Sequence, residues 1–175
     1  SSDLKRIFLF LIFIPFFTTN LFSSQNIVYL DLDMVLTQSN AGKKFINEFE
    51  QFKKKTFEDI KKTEIVLKKD ESGIRAKKNI LEDSEYNKLV NEFKIKVKEF
   101  NINRSEKIKN LDKTKLKGTN NFLSKIVPLL EEYSANNEVS LIIQKKNILI
   151  GKKELDITNL ILKKVNQTVK TIEIK

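Results

Sequence analysis

The stretch KKFINEFEQFKKKTFEDIKKTEIVLKK, residues 43–69, decides the fold. Within it Phe45, Phe49, Phe52, Thr56, Ile60, Thr63 and Leu67 follow one another at steps of three or four. That spacing lines side chains along one narrow stripe of an α-helix, the pattern of a coiled-coil seam. Lysines and carboxylates occupy most of the other positions, and the two threonines dilute the stripe. A helix so thinly apolar requires a partner, because helices in proteins draw most of their stability from packing.

The partner comes next in the chain. Around Asp70 to Ser84 the pattern loosens, with Gly73 in the middle and Asp83-Ser84 as fresh capping residues. This predicts the turn of a helical hairpin near 70–84. A second stripe then runs through Leu89, Phe93, Val97, Phe100, Arg104, Ile108 and Leu111. It weakens at Lys115 and Gly118 and recovers at Phe122, Ile126, Leu129 and Tyr133. Gly118 and Pro128 disfavour a helix interior and predict kinks or a joint that lets the hairpin flex. A helix of about 30 residues is roughly 45 Å long, so the hairpin should project well beyond any compact body.

The flanks change character. IVYLDLD (Ile27–Asp33) is short, β-branched and alternating, and predicts a strand; Ser39 and Asn40 then offer a helix cap. VSLII (Val139–Ile143) and NILI (Asn147–Ile150) predict two strands joined as a hairpin through Gln144-Lys145-Lys146, although no Asn-Gly or Asp-Gly pair marks the turn. Asp156 should cap a closing helix carrying Ile157, Leu160, Ile161 and Val165. The expected organisation is a leader over 1–24, an N-terminal strand over 25–38, a helical hairpin over 39–136, and a strand hairpin with a final helix over 137–175.

The leader rests on charge order. Lys5 and Arg6 precede an apolar run from Ile7 to Phe17, and Ser23 and Ser24 follow. That is the order of a secretory signal peptide, and the run falls short of the ~20 residues that span a bilayer. Bulky Leu21 and Phe22 stand near the cleavage point, and an uncleaved anchor or a buried core helix is the alternative. Export is the expectation, with the mature chain starting near Gln25.

Composition narrows the chemistry. The 175 residues contain no cysteine, histidine or tryptophan, four glycines and two prolines, and carry a formal charge of +10. Without cysteine there is no disulfide framework. Without histidine the commonest general base and metal ligand is missing. No cofactor, metal site or catalytic residue is expected. Scarce glycine and proline favour long regular elements. Between Lys43 and Lys117 there are 22 basic residues against 14 acidic ones.

Three other functions fit parts of this pattern. Asp31-Leu-Asp33 behind an apolar strand resembles the opening motif of haloacid-dehalogenase phosphatases, but Met34-Val35 follow where that family has Gly-Thr, and a charged coiled coil replaces the rest of its sheet. Capping or exposure at a strand end is the plainer role for those carboxylates. Nucleic acid would account for the lysines, yet acidic residues interleave with them and no recognition motif accompanies them, so nucleic acid is not an expected partner. A structural coiled-coil protein of the envelope shares every helical feature, but has no need of terminal strands.

Those strands argue for self-association. Three short strands and one helix expose too much surface to stand alone, and strands from several copies could complete a shared core. Val28, Leu30, Leu141, Ile143, Ile148 and Ile150 are the candidates for that core.

This layout resembles the Skp/OmpH family of periplasmic chaperones. The resemblance is carried by IVYLDLDMVLTQSNAGK (Ile27–Lys43), by ILEDSEYNKLVNEF before the second helix, and most specifically by VSLIIQKKNILIGKKELDITNLILKKVN (Val139–Asn166), which couples strands to an Asp-Ile-Thr helix start. It implies an α+β fold in which a long antiparallel coiled-coil hairpin projects from a small β body completed by trimerisation. It also implies a homotrimer whose tentacles hold unfolded outer-membrane proteins without ATP; the sequence carries no GxxxxGK[ST] phosphate loop. Client attraction should be diffuse, with Lys61, Lys62, Lys68, Lys69, Arg75, Lys77 and Lys78 toward the far end of the hairpin, and Phe57, which lies off the seam, facing the client. The same lysines suit anionic lipid or lipopolysaccharide.

Overall fold

A computed structural model of the chain describes residues 26–173. The leader over 1–24 lies outside them. The order is strand β1 (Asn26–Leu30), helix α1 (Leu32–Gln38), helix α2 (Asn40–Ala76), helix α3 (Asp83–Asn136), strand β2 (Val139–Gln144), two short 3-10 turns (Lys145–Asn147 and Lys153–Leu155), and helix α4 (Thr158–Thr168). Long helices with a small sheet make an α+β fold, as the sequence indicates.

Local chemistry sets the boundaries. β1 stops at Leu30, short of the Asp33 expected, because the Asp31 carboxylate accepts the Met34 N–H at 2.8 Å and starts α1. Ser39, fully buried, ends α1 and caps α2, its hydroxyl accepting the Gly42 N–H at 3.1 Å. Glycine is required at 42, where a Cβ would overlap the Leu36 carbonyl. α2 continues through Gly73, so the turn is confined to a few residues after Ala76. Asp83 and Ser84 do not cap α3; Glu82 holds that position without a side-chain bond, and Asp83 and Glu85 sit in the first turn.

The expected strand hairpin at Val139–Ile150 does not form. β2 pairs with β1 in parallel, Ile27 opposite Leu141 and Tyr29 opposite Ile143. Beyond Gln144 the chain makes a 3-10 turn, and Ile148–Ile150 joins no sheet among the described residues. With no residue suited to a tight primed turn there, nothing folds NILI back onto VSLII.

The core lies where the roots of α2 and α3 meet the sheet and α4. Val28 and Leu30 from β1, Val35 from α1, Phe45 from α2, Phe122 and Ile126 from α3, and Ile161 and Val165 from α4 form one buried cluster. The body is therefore larger than its strands and last helix suggest, because the hairpin lends it its base.

α3 runs unbroken through both Gly118 and Pro128. Gly118 is not a joint: it is buried, and the Phe45 ring occupies the space a Cβ would need. Its smallness lets α2 and α3 approach at the root. Beyond this point burial continues only at Thr56, Ile60 and Leu111, and no residue from Lys61 to Asn110 is fully buried.

A polar knot ties the two ends of the body. The buried Thr158 hydroxyl accepts the Asp31 N–H at 2.9 Å and donates to Asp156. Asp156 also accepts the Thr158 N–H at 3.0 Å and the Lys145 ammonium at 2.9 Å, while the Ile157 N–H reaches the Tyr29 carbonyl at 3.0 Å. Asp156 is not the cap expected of it: Ile157 holds that position without a side-chain bond, and Asp156, one residue earlier, binds the first N–H of α4 from outside the helix. Burial works to raise its pKa, but the hydrogen bonds from Thr158 and Lys145 outweigh it and hold the carboxyl below its ordinary value. The hydrogen bond and charge of Asp156 raise Lys145 in return.

Two stability predictions follow from these contacts. Gly118→Ala should destabilise by about 1–3 kcal/mol through overlap with Phe45, with part recovered by adding Phe45→Leu, whereas Gly73→Ala, in open space, should stabilise by about 0.5–1 kcal/mol; urea unfolding measures both. Asp156→Asn should cost about 1–3 kcal/mol near neutral pH. Because the folded carboxyl has the lower pKa, its contribution is complete above the ordinary value of about 3.9 and lost as pH falls through the folded value. The gap between the two proteins should therefore close below about pH 4; a constant gap would contradict the assignment.

Candidate functional site

Two surfaces stand out, the shaft of the hairpin and the outer face of the sheet. Along the shaft the two stripes meet but do not close. Leu67, Phe93, Val97, Phe100 and Ile108 are only half-buried. A cleft of about 480 Å³ opens between the helices near Thr63, Leu67 and Phe100. Arg104, on the stripe in sequence, is exposed, and one ion pair, Asp70 to Lys96 at 3.2 Å, crosses from helix to helix. The remaining shaft pairs, such as Lys68–Glu64 at 3.4 Å and Arg75–Glu71 at 2.7 Å, are exposed pairs within α2. Such pairs contribute little to stability, about 0–1 kcal/mol each.

Lys61, Lys62, Lys68, Lys69, Arg75, Lys77 and Lys78 are all exposed. They do not converge on a single point but distribute along the distal part of α2 and into the turn. Phe57 is half-exposed and lines a groove of about 450 Å³ with Phe49, Lys53, Ile108 and Lys115. Of the other phenylalanines, Phe45 is buried, Phe49 is half-buried with its ring centroid 6.3 Å from that of Phe45, and Phe52 is partly exposed.

The shaft also exposes Ile65, Val66, Ile95, Ile102 and Leu116. Sequence reasoning passed over them, although apolar residues off the stripe of a predicted two-helix coil are the available signal. They place apolar patches among lysines along much of the hairpin. Chemically this surface offers weak, repeated contacts to a chain that is itself partly apolar, without selecting any one sequence.

On the sheet, strand alternation turns Val28, Leu30 and Ile142 toward the core and Ile27, Tyr29, Leu141 and Ile143 outward. The segment after β2 crosses the outer face at Tyr29, whose hydroxyl donates to the Lys152 carbonyl at 3.1 Å. Leu141 remains half-exposed, and Leu149 and Ile150 are 98% and 90% exposed. Of the six residues expected in a shared core, Val28 and Leu30 therefore serve the chain's own core. Ile143 and Ile148 are half-buried, and Leu141 and Ile150 face outward.

Asp31 and Asp33 do not form a paired-carboxylate site. Asp31 caps α1 and Asp33 lies in its first turn, so they are not alternate residues of a strand. Among the described residues no group of three or more acidic side chains converges to hold a metal, and no helix is long and apolar enough to cross a membrane.

Comparisons with known proteins agree with this architecture. The family model for outer membrane protein (OmpH-like) matches residues 26–165. No curated protein sequence matches significantly. Among solved structures, a candidate OmpH-like outer membrane chaperone from Caulobacter crescentus CB15 superposes with a TM-score of 0.76 at 11% identity, covering 85% of this chain and 88% of that one. At that identity the likeness is one of fold. The family match spans most of the chain, from β1 through the polar knot and most of α4, and the protein belongs to the OmpH-like outer membrane protein family.

Proposed function

We propose that the protein is an ATP-independent holdase, acting in the periplasm as a homotrimer that encloses unfolded outer-membrane proteins between its helical hairpins. The observation that carries this reading is a shaft with no fully buried residue from Lys61 to Asn110 but exposed isoleucines set among lysines. An unfolded membrane barrel presents alternating apolar side chains that aggregate unless enclosed. Many weak contacts on a basic, partly apolar arm keep such a chain soluble without selecting one sequence. Such an arm has no catalytic task.

Assembly is supported by the sheet. A two-stranded parallel sheet is rarely left open, because parallel strands are normally covered on both faces. Here Leu141, Leu149 and Ile150 extend the outer face into solvent, beside an Ile148–Ile150 segment that joins no sheet. Other copies would cover that face and could recruit this segment into a common body. Anionic lipid headgroups, including those of lipopolysaccharide, are proposed as further partners of the same lysines.

The test is the solution mass of residues 25–175 by light scattering, with and without a porin diluted from urea. A trimer that keeps the porin soluble in a defined complex is expected; an assembly that leaves it to aggregate would favour a structural role. Leu141→Asp with Ile150→Asp should shift the mass to monomer while helicity by circular dichroism stays largely intact. Any single change among Lys61, Lys62, Lys69, Lys77 and Lys78 to alanine should alter porin holding less than about two-fold, equivalent to ~0.4 kcal/mol. Abolition by one such change would point to a discrete site.

A further inference from the structure

The far end of the hairpin carries a charge pattern that diffuse client attraction does not account for: basic residues face an equal number of acidic ones. Residues 75–85 read RAKKNILEDSE, with Arg75, Lys77 and Lys78 followed by Glu82, Asp83 and Glu85. The tip is therefore neutral in sum but split into a basic lobe at the end of α2 and an acidic lobe at the start of α3. The rest of the hairpin, from Lys43 to Lys117, keeps 19 basic against 11 acidic residues once these six are set aside.

Part of the split serves the helices themselves. Cations at a helix C-terminus and anions at an N-terminus each stabilise the helix dipole. Dipoles do not account for Ile80. It lies between the two lobes and is 79% exposed, although the turn that carries it is well bonded. The Ile80 and Leu81 N–H groups both donate to the Lys77 carbonyl at 3.0 Å, and Leu81 turns inward to half-burial. Ile80 is thus presented outward by an ordered turn. Arg75 is held by Glu71, but Lys77, Lys78, Glu82, Asp83 and Glu85 enter no ion pair among the described residues.

We propose that the tip is a self-recognition surface, on which Lys77 and Lys78 of one copy meet Asp83 and Glu85 of the next around a shared Ile80 contact. This rests on the trimeric reading. Three net-positive shafts projecting from one body repel one another, and the tip is where two arms can meet with opposite charges opposed. Because the basic and acidic lobes lie on different helices, each tip can offer one lobe to each neighbour. Such head-to-tail contacts close into a ring of three. Arms meeting at their tips would shut the mouth of the space between the shafts.

The cysteine-free sequence makes the test clean, since Asn79→Cys introduces the only thiol. Oxidation of the assembled full-length mature protein should cross-link Asn79→Cys copies at least ten-fold faster than Asn91→Cys copies, whose thiol sits on the shaft. The rate should not depend on protein concentration. Adding Lys77→Glu and Lys78→Glu should bring it down to the shaft value, and further adding Asp83→Lys and Glu85→Lys should restore it, although both changes oppose the helix dipoles. Circular dichroism and solution mass are recorded for every variant. A trimer whose tip thiol reacts no faster than the shaft thiol, or whose charge exchange fails to restore the rate, overturns the proposal and leaves the trimer standing. A monomer overturns the trimeric reading and the tip contact with it.

Discussion

The body depends on one hydroxyl. Thr158 sits where β1 ends, α1 begins and α4 starts, and its side chain receives the Asp31 N–H across 127 positions of sequence. Such a group in an apolar core would be costly without partners, since an unsatisfied buried polar group loses about 1–3 kcal/mol. Here it accepts one hydrogen bond and donates another to Asp156, which in turn holds Lys145. Apolar packing alone would let α4 slide along the sheet. The knot fixes its register against the end of β1.

From that anchor the structure loosens with distance. At the root, Phe45 against Gly118 brings the two helices close and the core surrounds them. Along the shaft the apolar stripes thin to half-buried contacts, with Asp70–Lys96 crossing between the helices. Helical hydrogen bonds and the ion pairs within α2 carry the remainder. An arm stabilised in this way keeps its shape while leaving apolar surface uncommitted, which a receptor for varied chains requires.

The helical hairpin was legible because a stripe at steps of three and four has one geometric meaning. Ser39 was legible because its side chain caps the helix that follows, whereas Asp156 was expected as a cap and stands one residue ahead of it, tied into the knot with Thr158 and Lys145. The strands were harder. IVYLDLD alternates through Asp33, but Asp31 is worth more as a helix cap than as a strand residue, and no periodicity expresses that competition. VSLII and NILI look like neighbours, yet β2 finds its partner in β1 at the other end of the described chain, a pairing that propensity does not encode. Gly118 was misread for a related reason. A glycine's flexibility is visible in sequence, whereas the ring that fills its vacant side comes from a residue more than seventy positions earlier. On the candidate site, the distributed lysines were legible as charge, and the exposed isoleucines were not, because a coil pattern directs attention to its stripe.

The parallel pairing of β1 with β2 also orders events during synthesis. β1 is made before any of the hairpin and β2 only after all of it. The hairpin's contacts are local in sequence and can form as the two helices appear, while the body must wait for Val139–Gln144 and then for Thr158. Contacts of such long sequence separation form slowly. The contacts of the arm can therefore be made without the base that holds it, whereas the base cannot close until β2 and Thr158 are present. Until then the apolar residues of its own core, Val28, Leu30 and Val35 among them, lack the partners that cover them.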